Sequence, residues 1–227
     1  MKEYSDYTYN SANPLAKFSH RRRFKFSSSL IGEFRFNHLL DYGAGDLQFL
    51  KSLILSGIKD KMLTAYEPVM ENEPVDEIEI ITDSLLLFDK KYDLITCFEV
   101  LEHFNENGQF EILSNFLRLM EKGGHIIISV PIEIGPPSII KNLRRIANGD
   151  FNRTYIHNSW KSFLGKEVPT VRNVEGYLPT HIGFNHKRLE KLMASMFEIN
   201  NIYNSPFQKL PSSLNSQRFY VLSNKLS

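Results

Sequence analysis

The chain has 227 residues, of which 42% are hydrophobic and 23% charged, and its formal net charge is +1. These values are typical of a soluble globular protein, and this length predicts one domain whose core needs no disulfide or metal. The single cysteine excludes a disulfide framework and a cysteine-based zinc site. No segment reaches the roughly 20 apolar residues that span a bilayer, and the polar N-terminus lacks the apolar core of a signal peptide. We therefore expect a soluble, cytoplasmic protein.

The charge is unevenly distributed along the chain. Residues 41–132 carry 7 basic and 17 acidic side chains, a net charge of −10. The segments 1–40, 133–188 and 189–227 carry net charges of +4, +5 and +2, which sum to +11. An acidic middle between basic flanks predicts that different parts of the chain meet different ligands.

Short apolar runs alternate with amphipathic segments through the acidic middle. Strands are predicted at 37–42, 62–66, 77–82, 92–98 and 125–130, and helices at 46–56 and 110–120, the second ended by Gly123-Gly124. A helix at 138–147, a polar insertion at 148–180, a helix at 185–196 and closing strands at 197–203 and 218–223 follow. This alternation predicts a doubly wound α/β fold with a mostly parallel sheet covered by helices.

Two glycines follow the first predicted strand, in the stretch Asp41-Tyr42-Gly43-Ala44-Gly45. Glycine lets the backbone approach a ligand closely, and the next helix offers its N–H groups. A tight strand-to-helix turn without a ligand would also use glycine. Gln48 stands where a dinucleotide fingerprint needs its third glycine, which disfavours a dinucleotide.

Carboxylates follow the next three predicted strands. Glu67, before Pro68, can accept both hydroxyls of a ribose, or it is a surface residue before a turn. Asp83, before Ser84, can accept an adenine amino group, or it caps the turn ahead of Leu85. In the stretch FEVLEH, Glu99, Glu102 and His103 come where open α/β sheets bind ligands, although acids also favour helix N-termini.

Taken together, the stretches LLDYGAG, AYEP, ITDS and YDLITCFEVLEHF, followed by LMEKGGHIIISVP, resemble the class I S-adenosylmethionine-dependent methyltransferases. The resemblance implies a Rossmann-like sheet of seven strands, the last antiparallel, and S-adenosylhomocysteine as product. It further implies a cofactor site at the positions Asp41, Gly43, Ala44, Gly45, Glu67, Pro68, Asp83, Ser84, Glu99 and Val100. The family often has a further glycine where Leu47 stands here.

The basic N-terminal segment, from Asn13 to Phe24, resembles the leader of small methyltransferases of bacterial surface-polysaccharide and phosphorus-containing modification pathways. We expect it to close over an anionic acceptor as a helical cap. The predicted acceptor-binding residues are Tyr7, Arg21, His103, Arg144 and Arg145. His181 is the first candidate for a general base, and His20 and His103 follow. His181 is equally explained as a loop residue, and a structural role is the favoured explanation of His103.

We thus expect a single methyltransferase domain over 1–227. It divides into a basic cap (1–36), a cofactor core (37–132), an acceptor-side insertion (133–184) and a closing helix and strands (185–227). The predicted activity is O-methylation of a small anionic acceptor, such as a surface carbohydrate precursor or its phosphoramidate-type substituent. RNA or protein methylation and a non-catalytic cofactor-binding scaffold are the alternatives. No metal or membrane partner is expected. Nucleic acid is not favoured as a partner, and DNA amino methylation is disfavoured because its typical proline pair does not follow the fourth strand.

Overall fold

Seven strands and four α-helices are formed by residues 14–58, 60–69, 75–133 and 184–225, which the computed structural model describes. In chain order they are α1 (Pro14–Ile31), β1 (His38–Tyr42), α2 (Gln48–Leu55), β2 (Met62–Tyr66), β3 (Ile78–Ile81), β4 (Tyr92–Phe98), α3 (Glu106–Leu119), β5 (Met120–Pro131), α4 (His186–Met196), β6 (Phe197–Ser205) and β7 (Gln217–Asn224). Short 3₁₀ turns span Ser84–Asp89, Leu101–His103 and Ser212–Leu214.

The strands form one sheet in the order β3-β2-β1-β4-β5-β7-β6. The pairs from β3 to β5 are parallel, whereas β7 runs antiparallel to both β5 and β6. The predicted architecture, including the antiparallel last strand, is confirmed. Because the carboxyl ends of parallel strands meet at one edge, the segments after Tyr42, Tyr66 and Phe98 come together there.

Apolar side chains cover both faces of the sheet. One cluster packs α3 and α4 against the sheet through residues such as Phe116 and Met193. The other packs α1 and α2 through residues such as Leu30 and Leu50. Complete burial of such side chains contributes about 1.5–3 kcal/mol each, so the helices hold the strand ends in a fixed arrangement.

Helix α1 docks on the sheet through aromatic rings. The centroid of Phe24 lies 5.8 Å from that of Phe49 on α2, and Phe26 lies 4.9 Å from Phe219 on β7. Both pairs are edge-to-face, the arrangement that aromatic quadrupoles favour. The predicted N-terminal helical cap is therefore present, and it turns Arg23 towards the sheet while Arg22 stays exposed.

The predicted role of Gly123-Gly124 as the end of a helix is wrong. Helix α3 ends at Leu119, and both glycines lie within β5. A Cβ at Gly124 would lie 2.9 Å from the carbonyl oxygen of Asp93, so glycine permits the close approach of β5 to β4. The predicted helix at 138–147 and the insertion at 148–180 lie outside the described residues.

None of the helices in the described part of the chain is long and apolar enough to cross a membrane.

Candidate active site

The glycine turn after β1 is anchored on the end of β2. The N–H groups of Gly43 and Ala44 both donate to the carbonyl of Tyr66, at 2.8 and 3.1 Å. Gly43 (φ 79°) and Gly45 (φ 53°) adopt left-handed conformations that favour glycine. Among the described residues, none has an atom within 4 Å of a Cβ built at Gly45.

Glu67 lies directly beside the glycine turn. Its Oε2 accepts a hydrogen bond of 3.1 Å from the Gly45 N–H, and its own N–H donates to Ile81 on β3. The carboxylate is partly exposed, so it can accept further hydrogen bonds from a ligand. The structure therefore brings together two sequence-predicted residues from separate strand ends.

The end of β3 carries a capping aspartate and exposed apolar side chains. Asp83 accepts a hydrogen bond of 2.9 Å at Oδ1 from the Leu85 N–H, which is the capping role that the sequence left open. Leu85, two residues after Asp83, and Val69, two residues after Glu67, are 72% and 82% exposed. Apolar side chains beside two carboxylates suit a flat ring with polar edges, such as a purine.

Asp41 is buried beneath the glycine turn. It is only 3% exposed, and the Thr96 hydroxyl donates to its Oδ1 at 2.7 Å. Burial raises the pKa of Asp41 to about 7, with a further increase from the charge of Glu67, although the bond from Thr96 opposes the shift. The charge of this carboxyl group therefore changes with pH near neutrality.

Glu99, directly after β4, is held in an unusual backbone conformation. Its φ is 58°, and its N–H donates to the carbonyl of Ser129 on β5 at 3.0 Å. A left-handed glutamate is uncommon and persists only where its surroundings impose it. Its Oε2 lies 3.2 Å from Nη1 of Arg23 on α1, so the cap helix contacts the site directly.

Two further carboxylates are buried at this end of the sheet: Glu102, which the sequence grouped with Glu99 in the stretch FEVLEH, and Glu133, which it did not single out. Glu102 and Glu133 are 1% and 4% exposed. Burial, together with the charges of Glu99 and Glu133, raises the pKa of Glu102 well above its usual value, while Arg23 opposes the increase. Within the described ranges, no group of three His, Cys, Asp or Glu side chains is arranged to hold a metal ion.

Arg23 is also absent from the sequence-predicted site, although a signal for it exists. Helical spacing from the buried Ser27 and Leu30 places Arg23 on the inner face of α1, whereas Arg22 and Lys25 are exposed. Counting the charges of the basic run does not distinguish the inward-facing Arg23 from its exposed neighbours.

The remaining predicted residues are placed as follows. Val100 packs against Gly43, Pro68 and Ser84 are exposed, and His103 is half-buried in its 3₁₀ turn. His20 and Arg21 belong to α1, but their side chains are outside the described part. Tyr7, Arg144, Arg145 and His181 also lie outside the described residues, so their roles stay predictions.

A parallel sheet with a glycine turn after its first strand, and carboxylates after the next strands, defines a Rossmann-like α/β protein. Within this class the chain belongs to the methyltransferase domain family, whose model matches residues 15–162. It is therefore a methyltransferase by family. No curated protein sequence matches the chain significantly.

Solved structures share the fold at low sequence identity. The plantazolicin methyltransferase BpumL, in complex with a triazolic desmethylPZN analog and SAH, is 15% identical, with a TM-score of 0.58 over 97% of this chain and 90% of that one. The N-methyltransferase NodS from Bradyrhizobium japonicum, with S-adenosyl-l-homocysteine, is 11% identical, with a TM-score of 0.53 over 94% and 89%. The magnesium protoporphyrin IX methyltransferase ChlM from Synechocystis, with bound SAH, is 13% identical, with a TM-score of 0.55 over 95% and 89%.

Proposed function

We propose that this protein transfers a methyl group from S-adenosylmethionine to a small acceptor. The observation that carries the proposal is the hydrogen bond of Gly45 to Glu67, at a turn where no described residue has an atom within 4 Å of a Cβ built at Gly45. This arrangement supports a role for Glu67 as the acceptor of the ribose hydroxyls, with the turn beside it facing the nucleoside. Three structural neighbours, each below 25% identity, were crystallised with S-adenosylhomocysteine, in agreement with this choice of cofactor.

The residues of the site fit the parts of such a cofactor. Glu67 would accept the ribose hydroxyls, and the second oxygen of Asp83 would accept the adenine amino group between apolar neighbours. Asp41 and Glu99 would favour the positive charge of the methionine end. When bound, the cofactor supplies an activated sulfonium methyl, so the protein has chiefly to align the acceptor and exclude water.

For the acceptor, we propose an oxygen of a small anionic molecule, such as a bacterial capsule or surface carbohydrate precursor or its phosphoramidate-type substituent. Support comes from the basic run that continues into α1 and from the net charge of +5 over residues 133–188. Guanidinium groups bind phosphate-like anions through charged, paired hydrogen bonds. His181, and then His20, are the proposed bases for the proton that an oxygen nucleophile loses.

The carboxylates beside β4 and β5 favour a second candidate acceptor, an amine. Among the described residues, Glu99 and Glu133 lie with Arg23 at this end of the site, and carboxylate charge attracts an ammonium group. A carboxylate with a raised pKa can also take the proton that an amine loses before it attacks the methyl group.

The cofactor is tested by calorimetric titration of the purified protein with S-adenosylhomocysteine and, separately, with NAD. We expect micromolar binding of the first and none of the second. Binding of NAD alone would refute the proposal. A scaffold without activity would bind the adenosyl ligand but turn over no acceptor, and an RNA methyltransferase would bind RNA with a strong salt dependence.

The acceptor is tested by a screen with S-adenosylmethionine and three matched sets: nucleotide-linked sugars, phosphorylated metabolites and primary amines. Mass spectrometry of the products shows a gain of one methyl group and the atom that carries it. Turnover confined to the amines would replace the anionic acceptor with the second candidate. Matched neutral sugars control for recognition of the anion itself.

A further inference from the structure

We propose that this protein binds to the surface of an anionic membrane through the loop between β6 and β7. The loop, residues 206–216, presents three large apolar side chains, Phe207, Leu210 and Leu214, and one lysine, Lys209. This inference goes beyond the proposed methyl transfer and does not depend on it. The sequence predicts no membrane partner because it contains no spanning segment, but binding at the surface of a bilayer needs none.

The first argument is the exposure of the apolar side chains. Phe207, Leu210 and Leu214 are 47%, 42% and 59% exposed, although they follow one another closely in the chain. Single exposed apolar residues are common on protein surfaces, whereas a group of them indicates a surface that meets an apolar partner. Entry of such side chains into the boundary between headgroups and acyl chains removes their apolar area from water, which favours binding.

The second argument is the fixed conformation of the loop, which depends on one buried amide. Asn215 is 2% exposed, and its Oδ1 accepts the Phe207 N–H at 2.7 Å. Its Nδ2 donates to the carbonyls of Phe207, Leu210 and Pro211 at 3.0, 3.2 and 3.0 Å. The Leu214 N–H donates to the carbonyl of Pro211 at 3.0 Å. Because polar contacts already order the backbone, binding through the apolar side chains costs little conformational entropy.

The third argument is the charge of the neighbouring segments. Residues 199–227 contain no Asp or Glu, and every charged residue of α1 is basic. Helix α1 contacts the end of β6 that leads into the loop, since the ring centroids of Phe26 and Tyr203 are 5.5 Å apart. The exposed Lys25 is the neighbour of Phe26. Anionic headgroups attract such basic residues near the bilayer surface.

The fourth argument is the position of the loop in the fold. Gln217, the first residue of β7, pairs with Pro131, the last residue of β5, so the loop lies at the edge of the sheet that carries the candidate active site. The carboxylates Glu67 and Asp83 follow β2 and β3, at the other end of the strand order. An apolar partner without negative charge would match only the exposed side chains. An anionic bilayer matches both these side chains and the basic residues beside them.

The test is sedimentation of the purified protein with large vesicles of two compositions: phosphatidylcholine alone, and equal parts of phosphatidylcholine and phosphatidylglycerol. We expect wild type to bind the mixed vesicles at least about 10-fold more tightly than the neutral ones, and less tightly as salt is added. Phe207→Ser/Leu214→Ser should weaken binding to the mixed vesicles by about 10- to 100-fold, because two apolar side chains no longer insert. Lys25→Gln/Lys209→Gln should weaken it by about 5- to 30-fold and leave binding to neutral vesicles unchanged.

Leu55→Ser/Met62→Ser is the matched control and should bind vesicles like wild type. Both side chains are at least as exposed as those of the loop, but they lie at the opposite edge of the sheet, at the end of α2 and the start of β2. Circular dichroism verifies the fold of each variant. If Phe207→Ser/Leu214→Ser does not fold, Leu214→Ser replaces it and should weaken binding by about 3- to 10-fold.

Failure of wild type to sediment with the mixed vesicles would overturn the proposal, and so would unchanged binding by the loop variant or equal weakening by the control. Self-association of wild type that the loop variant loses, without binding to vesicles, would assign the loop to a second copy of the chain instead. Titration with S-adenosylhomocysteine keeps the two proposals separate. The loop variant should retain the affinity of wild type, and absence of binding by wild type would count against the proposed function only.

Discussion

Val100 packs against Gly43 so closely that a Cβ at position 43 would lie 2.4 Å from Val100 Cγ2. The contact joins the turn after β1 to the segment after β4, since Val100 directly follows Glu99. The glycine turn thus depends on packing across the site as well as on its own left-handed backbone. Both requirements exclude a side chain at position 43.

Gly43→Ala should therefore destabilise the protein more than Gly57→Ala. Gly57 also has a left-handed backbone (φ 92°), but a Cβ there meets nothing within 4 Å. Urea denaturation should show a cost of about 1 kcal/mol for Gly57→Ala from backbone strain. For Gly43→Ala we expect about 1–3 kcal/mol more, because overpacking is added. Equal costs for the two variants would show that the packing against Val100 is unimportant.

Glu67→Gln should reduce the affinity for S-adenosylhomocysteine by at least about 10-fold, because ribose hydroxyls donate more strongly to a carboxylate than to an amide. The fold should survive, since the side chain is partly exposed. Calorimetric titration measures the loss, and circular dichroism verifies the fold. Glu77→Gln, an exposed glutamate before β3, is the control and should bind like wild type. An unchanged affinity in Glu67→Gln would remove Glu67 from the cofactor site.

Asp41 should make the stability of the protein depend on pH. Its folded pKa is raised to about 7, so between pH 4 and 7 the folded state holds a proton that the unfolded state has lost. Stability must then fall as the pH rises through this window, by up to about 1.4 kcal/mol per unit, and become level above it.

Asp41→Asn removes this titration and keeps the size of the side chain. Denaturation at pH 5 and pH 8 should show a gain in stability for the variant that is larger at pH 8. Taking the difference between variant and wild type cancels the other titrating groups. A gain that is the same at both pH values would mean that Asp41 has an ordinary pKa in the folded protein.

Leu47 combines two opposing effects at one position. Its φ is 62°, which disfavours a side chain, yet it is completely buried at the start of α2. Strain of about 1–2 kcal/mol is outweighed by burial, since truncation of a core leucine costs about 2–5 kcal/mol.

Both Leu47→Ala and Leu47→Gly should therefore destabilise the protein. Leu47→Gly should be the milder change by about 1 kcal/mol, because glycine also relieves the strain. This is the reverse of the usual order inside a helix. Urea denaturation of the two variants decides the order, and a more stable alanine variant would show that the left-handed backbone carries no strain.

The sequence predicted some elements to the residue and misread others. The limits of β2 and β4 are confirmed, because runs of apolar residues are buried on both faces of a parallel sheet and differ sharply from their flanks. The prediction for Gly123-Gly124 was wrong because a glycine pair occurs in sequences both at helix ends and in strands that approach a neighbouring strand closely. Only the proximity of Asp93 distinguishes the two.

The sequence by itself determined the fold class and the order of strands and helices. It also determined that the glycine turn and the carboxylates follow successive strands. These features depend on local periodicity and on residue types that follow one another in the chain. The tertiary structure decided which basic residue meets the site. Arg22 and Arg23 are neighbouring residues of the same type. The packing of Phe24 and Phe26 fixes the rotation of α1 on the sheet. This rotation turns Arg23 towards Glu99. Helical spacing can place Arg23 on the inner face of α1, but only packing between distant segments brings it to Glu99.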